Sequence, residues 1–343
     1  MKFRTLLLLS VSLLVLASAC CKKEDEETTY LSFVGTPDFE LPIFIGVGDT
    51  FTLTPASVSR SSEDTKTELP GCYWTITQLN IRDTVRREGD PASVPFSYTF
   101  EVPDTLQTIT VLCGVYGEGY TNSTASLSSI IVRTQGANSS LQGFDYPKPI
   151  YRDARDGRLY HYTTVGGLDW MAENLAYAGS GYSYLNCSVV DGLFGRYYSW
   201  NDAMNACPEG WRLPTNEEFL SFNNAFLGTP GGQALTTFTA GAGNHMANAY
   251  FNGSRMWEYW PDVTPVNTSG FSLLPLGYVA IQGDSVAQMD ALQYALFWTA
   301  DELNEEQAYY RSVYLKYDTI SCETGYKEYM ALNVRCVREK PGE

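Results

Sequence analysis

The sequence has little of what most catalytic or metal-binding sites require. Only two histidines occur, His161 and His245, and no two cysteines stand in a C-x-x-C spacing. Structural zinc sites take Cys and His ligands at such short spacings, so we expect no metal ligands. His161 lies among tyrosines and His245 lies in a glycine-rich stretch. Because a catalytic base also needs a second group to position it, the sequence predicts no catalytic residue and no cofactor.

Basic residues are scarce relative to acidic ones. The chain has 23 Lys and Arg against 39 Asp and Glu, which gives a formal net charge of −16. A body this acidic is repelled by phosphate backbones and by anionic lipid headgroups. Nucleic acid is therefore excluded as an expected partner.

Long apolar runs are lacking as well, apart from one near the start. Residues 6–16 are mainly apolar, which is about half the length that a membrane-spanning helix requires. Lys2 and Arg4 precede this run and small residues end it, a pattern typical of a secretory signal over residues 1–19. Cys20 follows directly, and the segment resembles a bacterial lipobox in which Cys20 would be acylated, for example with palmitate. The alternative is an ordinary secreted protein with a chance cysteine.

Residues 20–29 contain the charged run KKEDEE, which is too polar to pack in a core and is interpreted as a tether. The run resembles the acidic export signal that follows the lipidated cysteine in surface lipoproteins of Bacteroidota. A terminus with several acyl chains anchors stably. We therefore expect a lipid anchor in the outer membrane and a surface-exposed body.

Residues 30–135 read as short alternating strands rich in Thr, Val, Ile and aromatic residues, separated by turns. This pattern predicts an all-β sandwich, and the segment resembles an immunoglobulin-like or PKD-like module. Cys72 and Cys113 lie in two strands that would be neighbours, so they either form a disulfide or remain as buried thiols. Residues 136–147 carry Gly, Asn, Ser and Pro without periodicity and are interpreted as a linker.

The second half begins with a predicted hairpin, in which residues 159–165 alternate and Gly166-Gly167 form the turn. A short helix should begin at Ser199 or Asn201 and stop before Pro208. A clearer helix follows Thr215, because Glu218 three residues later completes a capping box. In it a phenylalanine stripe, Phe219, Phe222 and Phe226, recurs at helical spacing and is expected in the core. Three strands, YALFWTADE, YYRSVYLKY and MALNVRCVRE, are predicted near the end of the chain.

Five blocks in this half together resemble the FISUMP domain, the major paralogous domain of Fibrobacter succinogenes. They are RDGRLYHYTTVGGLDWMAENLAY, GRYYSWNDAMNACPEGWRLPTNEEF, GFSLLPLGY, FWTADE and NVRCVRE, in this order. The resemblance implies an α+β domain with a C-type-lectin-like fold over residues 148–340. It also implies a disulfide between Cys207 and Cys336, the cysteines of two recurrent blocks. Cys187 and Cys322 then remain and could pair, and a Cys187–Cys207 bridge is the competing arrangement.

The best candidate for a binding site is the aromatic cluster MWEYWPD, with Trp257, Tyr259 and Trp260. Large amphipathic rings can stack on a sugar or anchor a protein partner, although rings in this region can equally fill a lectin-like core. The E-P-N and Q-P-D loops of calcium-dependent lectins are missing, and the W-N-D triplet at 200–202 stands at a helix start. A second candidate is an acidic stretch that comprises Asp301, Glu302, Glu305 and Glu306. Its carboxylates could hold a hard cation, but such charge runs usually face water.

These features predict a non-enzymatic surface lipoprotein that presents a lectin-like binding or adhesion domain to a glycan or a protein. Two alternatives remain open. One is a structural or assembly component of the envelope, and the other is an enzyme acting on extracellular polymers.

Overall fold

A computed structural model describes residues 30–61, 71–78, 81–101, 108–136, 138–228, 233, 235 and 238–342. The signal segment 1–19, the tether 20–29 and the lipidation residue Cys20 lie outside the described residues.

The described chain is mostly β, as the strand patterns predict. The strands of the N-terminal half are Leu31–Ser32 (β1), Phe44–Gly46 (β2), Thr50–Leu53 (β3), Gly71–Gln78 (β4), Ile81–Glu88 (β5), Phe96–Thr99 (β6), Thr108–Tyr116 (β7), Tyr120–Thr121 (β8), Ser123–Val132 (β9) and Leu141–Gln142 (β10). Those of the C-terminal half are Ile150–Arg152 (β11), Leu159–Val165 (β12), Leu168–Met171 (β13), Tyr182–Ser183 (β14), Arg196–Ser199 (β15), Phe238–Ala240 (β16), Tyr250–Phe251 (β17), Ser254–Arg255 (β18), Tyr278–Gln282 (β19), Ser285–Met289 (β20), Tyr294–Glu302 (β21), Gln307–Tyr314 (β22), Thr319–Tyr326 (β23), Met330–Asn333 (β24) and Val337–Glu339 (β25). The α-helices are Asp191–Phe194 (α1), Trp200–Ala206 (α2) and Asn216–Asn224 (α3).

The N-terminal half packs a five-stranded sheet, in the order β2-β9-β7-β4-β5, against the pair β3-β6. Alternation along β4 turns Cys72, Trp74 and Ile76 toward the core. Trp74 is completely buried and stacks on Phe96 of the opposing pair at 5.2 Å. Full burial of one large apolar side chain contributes about 1.5–3 kcal/mol, so this face holds the two layers together.

In the C-terminal half, the predicted hairpin is confirmed as β12 and β13. Its turn residues Gly166 and Gly167 have φ of 63° and 84°, as a two-residue turn of this type requires. The strand β13 also pairs with β25, so the start and the end of the domain share a four-stranded sheet. A larger sheet runs β14-β15-β24-β21-β22-β23-β16; β19 also pairs with β24, and β20 pairs with β19.

The helices begin where the sequence predicts. Ser199 rather than Asn201 caps α2, since the Ser199 hydroxyl accepts from the backbone N–H of Asp202. The capping box of Thr215 and Glu218 is confirmed at the start of α3. Helix α3 lays Phe219 and Phe222 in the core against Trp170 and Phe271, and Phe226 just after the helix is partly buried beside them.

The two halves share a hydrophobic core. Phe44 and Val132 of the first half are buried with Tyr184 and Phe194 of the second half. The segment interpreted as a linker, residues 136–147, includes β10, which pairs with β17. Leu141 and Gln142 of this segment are therefore part of a sheet of the second half.

The bridge between Cys207 and Cys336 is confirmed. It joins the end of α2 to the segment before β25 and closes a loop with a sequence separation of 129 residues. In the chain-entropy account, a loop of that size contributes about 5 kcal/mol of stability.

The other expected bridges are not formed, and Cys72, Cys113, Cys187 and Cys322 are buried free thiols. In the register of β4 and β7, Cys72 lies opposite Val115 while Cys113 lies opposite Trp74. The two cysteines are thus diagonal neighbours, roughly 7–8 Å apart, whereas bridged Cα atoms are usually about 5.5–6 Å apart.

The pairing of Cys187 with Cys322 is wrong for a different reason. The Cys187 thiol contacts the backbone of Phe44 at the junction of the two halves, whereas the Cys322 thiol lies beside Asn216 at the start of α3. The competing Cys187–Cys207 bridge is also wrong, because Cys207 is bonded to Cys336.

Candidate functional site

The predicted binding cluster is divided between core and surface. Trp257 is 1% exposed, and its indole N–H donates to the carbonyl oxygen of Leu273 at 3.0 Å. It packs in the core that also holds Trp170 and Phe297. A buried ring with a satisfied N–H cannot reach a ligand, so the prediction of Trp257 as a binding residue is wrong.

Tyr259 and Trp260 do reach the surface. Tyr259 is 69% exposed. Trp260 is partly exposed, and the ammonium of Lys316 lies 4.7 Å from the centre of its ring. A cation over an indole face is held by the ring quadrupole, so this contact orients the ring.

Lys316 joins Trp260 to a second group of rings, from the start of β21 and from the end of β22 with the turn that follows it. The rings of Tyr294 and Tyr314 are stacked at 4.5 Å, and Tyr317 meets Tyr314 edge-on at 5.6 Å. Lys316 lies 6.0 Å from the Tyr314 ring. We call this set the aromatic surface, and it comprises Tyr259, Trp260, Tyr294, Tyr314, Lys316 and Tyr317.

The turn is held in place by its backbone. The Tyr317 N–H donates to the carbonyl of Tyr314, and the N–H of the buried Leu315 donates to the carbonyl of Gln293. With Leu315 anchored, its neighbours Lys316 and Tyr317 stand at the surface. Such preordered rings offer large contact area at low entropic cost.

Only part of this surface is predictable from the sequence, since Tyr294, Tyr314 and Tyr317 lie far along the chain from Trp260. The tyrosine-rich stretch YYRSVYLKY was the available signal. Its strand pattern did not reveal which tyrosines face outward at the turn.

The acidic stretch encloses a cation supplied by the protein itself. The Lys327 ammonium donates to the Glu302 carboxylate at 2.6 Å and to the backbone carbonyls of Asn304 and Glu305 at 2.8 and 3.2 Å. Asp301 is engaged elsewhere, as its carboxylate accepts from the N–H of Asn216. Within the described ranges, no three Cys, His, Asp or Glu side chains converge as a metal site would require.

The two histidines have different surroundings. His245 is buried, with its ring nitrogens 2.8 Å from the Ser269 hydroxyl and from the Asn223 side-chain oxygen. Burial lowers its pKa from 6.5 to about 3, so the ring is neutral at ordinary pH. His161 contacts the Glu173 carboxylate at 2.9 Å and stacks on Tyr146. Its hydrogen bonds within the described part of the chain include no serine, threonine or cysteine that could act as a nucleophile.

The W-N-D triplet is a helix start, as the sequence indicates. Trp200 is buried and its indole donates to the carbonyl of Thr299. Asp202 accepts from the Ser199 hydroxyl at the cap of α2. The triplet therefore forms and stabilises the first turn of α2.

Comparisons with known proteins give one match. No curated protein and no solved structure matches the chain. None of the helices in the described residues has the length and apolar character needed to span a membrane.

A sequence model of the Fibrobacter succinogenes major domain, a surface-associated domain, matches residues 163–338. This match covers more than half of the chain and includes the aromatic surface and both bridged cysteines. The chain therefore belongs to the Fibrobacter succinogenes major domain family.

Proposed function

We propose that this chain is a non-enzymatic lipoprotein of the outer membrane, whose FISUMP domain binds ligand through the aromatic surface. The observation that carries the proposal is the arrangement of Trp260 and Tyr317. Both rings reach the surface and are linked through Lys316 and Tyr314.

The anchor in this proposal is Cys20, followed by the acidic tether. The secretory signal before Cys20 and the family's surface association support this placement. The β-rich first half then stands between the anchor and the binding domain.

At the level of fold, we assign the first half to an immunoglobulin-like sandwich. The order β2-β9-β7-β4-β5, with β2 parallel to β9 and the pair β3-β6 opposite, supports this assignment. We assign the second half to a C-type-lectin-like domain. Three features of the second half support the assignment to a C-type-lectin-like domain. They are the sheet that β13 shares with β25, the helices, and the long segment between α3 and β19.

The ligand class that suits this surface best is a glycan. Flat, partly exposed rings pack against the C–H faces of sugar rings, while the tyrosine hydroxyls and the Lys316 ammonium offer hydrogen bonds to sugar hydroxyls. A protein partner in an envelope assembly is the second candidate, because exposed aromatic residues also anchor protein interfaces.

The test is a glycan array probed with the full-length chain in detergent, followed by titration of every glycan that binds. We expect Trp260→Ala and Tyr317→Ala each to weaken binding about tenfold or more. Tyr30→Ala is the matched control, since Tyr30 is 58% exposed and Tyr317 is 60% exposed.

A blank array with a folded protein would favour the assembly role. Capture of an envelope protein that is lost on Trp260→Ala would then establish it. Cleavage of an array glycan would support the enzymatic alternative and contradict the proposal.

A further inference from the structure

A second surface feature lies beside Lys327, in the turn between β23 and β24. All three protons of the Lys327 ammonium have oxygen acceptors within 3.2 Å, from Glu302, Asn304 and Glu305. The ring of Trp200 lies 4.3 Å from the ammonium on another side. Two backbone hydrogen bonds also join the turn to its neighbours, from the Lys327 N–H to Glu306 and from the Trp200 N–H to Lys327. An internal cation thus holds the acidic loop in place, as a bound metal ion would.

A cleft of about 340 Å³ opens over this lysine. Tyr326 and Tyr329 line it and are 48% and 59% exposed. Their rings meet at 5.9 Å with an interplanar angle of 64°. The remaining polar lining comes from Asn201, Glu305, Glu306 and Glu328. We call this feature the lysine cleft.

The lysine cleft is distinct from the aromatic surface. Lys327 and the acidic loop adjoin the start of β22, whereas Lys316 follows its end. A strand of this length spans roughly 25 Å. The two features therefore lie at opposite ends of the same strand and can be tested independently.

The chemistry of the cleft restricts its ligand. Three carboxylates repel an acidic ligand. The Lys327 ammonium, paired with Glu302, already occupies the position that the loop carbonyls of Asn304 and Glu305 offer to a cation. Carboxylate and amide oxygens accept hydrogen bonds from hydroxyl groups, and the two rings offer apolar faces for the C–H groups of a pyranose.

We infer that the lysine cleft is a second ligand site, which binds a neutral saccharide without calcium. Tyr326 and Tyr329 stack on the sugar, and the side chains of Asn201, Glu305, Glu306 and Glu328 bind its hydroxyl groups. Lys327 is a positioning residue, because its ammonium orders the loop but has no proton left to donate to the sugar.

The experiment uses the full-length chain carrying Trp260→Ala, which weakens binding at the aromatic surface and leaves the lysine cleft unchanged. This protein is applied to an array of neutral glycans in calcium and again in EDTA, and each hit is titrated by calorimetry. We expect at least one neutral glycan to bind equally in both buffers. Adding Tyr326→Ala or Tyr329→Ala should weaken that binding about tenfold or more, while adding Tyr30→Ala should leave it unchanged.

Lys327→Met tests the positioning role, because it removes the ammonium and keeps an apolar stem. We expect Lys327→Met to weaken glycan binding. If this variant does not fold, Tyr326→Ala and Tyr329→Ala still test the site, because they change only exposed rings.

The inference is overturned if the Trp260→Ala chain binds no neutral glycan, if EDTA abolishes binding, or if Tyr329→Ala has no effect. Binding of an arginine-rich peptide in place of glycan, lost on Tyr329→Ala, would identify a cation site and overturn it as well. The proposal for the aromatic surface is judged separately, by comparing the wild-type chain with Trp260→Ala.

Discussion

The thiol of Cys187 lies 3.3 Å from the carbonyl oxygen of Phe44, across the junction between the two halves of the chain. The Phe44 side chain packs at the same place against Tyr184 and Phe251, with ring centroids 6.2 and 5.8 Å away. Since Phe44 is nearly fully buried, the first half completes the core of the second half. The two halves should therefore depend on each other for stability.

We expect Phe44→Ala to lower the free energy of unfolding by about 3–5 kcal/mol, because it leaves a cavity at the junction. Denaturant unfolding followed by tryptophan fluorescence measures the loss. Ile43→Ala is the control, since Ile43 is 47% exposed and its truncation should cost well under half as much. Equal effects of the two substitutions would contradict a shared core.

Trp257 and Tyr259 should respond oppositely to truncation, although they are two residues apart. We expect Trp257→Ala to cost about 3–5 kcal/mol of stability, because it empties a core position and removes the donor to Leu273. Tyr259→Ala should change stability by about 0.5 kcal/mol or less. Thermal unfolding of both variants checks this, and a stable, fully folded Trp257→Ala protein would show that the ring does not belong to the core.

The cysteines give a prediction by chemical labelling. When the purified chain is unfolded without reductant and alkylated, Cys72, Cys113, Cys187 and Cys322 should be labelled, whereas Cys207 and Cys336 should be protected. Peptide mass spectrometry reads the outcome. Protection of Cys72 and Cys113 together would show that these diagonal neighbours are bridged after all.

Loss of the Cys207–Cys336 bridge should be costly. We expect Cys207→Ala with Cys336→Ala to lower the free energy of unfolding by about 2–5 kcal/mol. Reductant should have the same effect on the wild-type chain and little effect on the double variant.

His245 makes stability depend on pH. Its pKa is about 3 in the folded chain and 6.5 when exposed, so the unfolded chain binds more protons between these values. The stability contributed by the neutral ring is complete above pH 6.5 and is lost as the pH falls toward 3. From pH 7 to pH 5 the loss should be about 2 kcal/mol.

The measurement is the difference in unfolding free energy between pH 7 and pH 5 for the wild-type chain and for His245→Gln. The variant should lack that part of the pH dependence, and His161→Gln serves as the control. An unchanged pH dependence in His245→Gln would contradict the neutral, buried histidine.

Features encoded by neighbouring residues could be predicted from the sequence. Three such features depend on residues within a few positions of one another. They are the turn at Gly166-Gly167, the capping box of Thr215 and Glu218, and the phenylalanine stripe that begins in α3. The Cys207–Cys336 bridge was predicted only through the family resemblance. Spacing alone could not choose it, because disulfide partners are selected by distance in the folded chain.

The site was predicted less completely. The sequence points to Tyr259 and Trp260, which reach the surface, and to Trp257, which is buried; it does not point to Lys316, Tyr317 or Lys327. Aromatic residues are used both in cores and in binding surfaces, so residue type does not separate the two roles. The acidic stretch at 301–306 showed a place for a cation, yet nothing local indicated that Lys327 would fill it.

The sequence by itself determined the strand-rich composition, the local turns and caps, and the family. Tertiary structure alone decided which thiols pair, which tryptophan is buried and which lysine enters the acidic loop. The physical reason is that burial and contact depend on segments distant in the chain. Lys327 meets Glu302 only because β22 and β23 bring the two turns to the same end of the sheet.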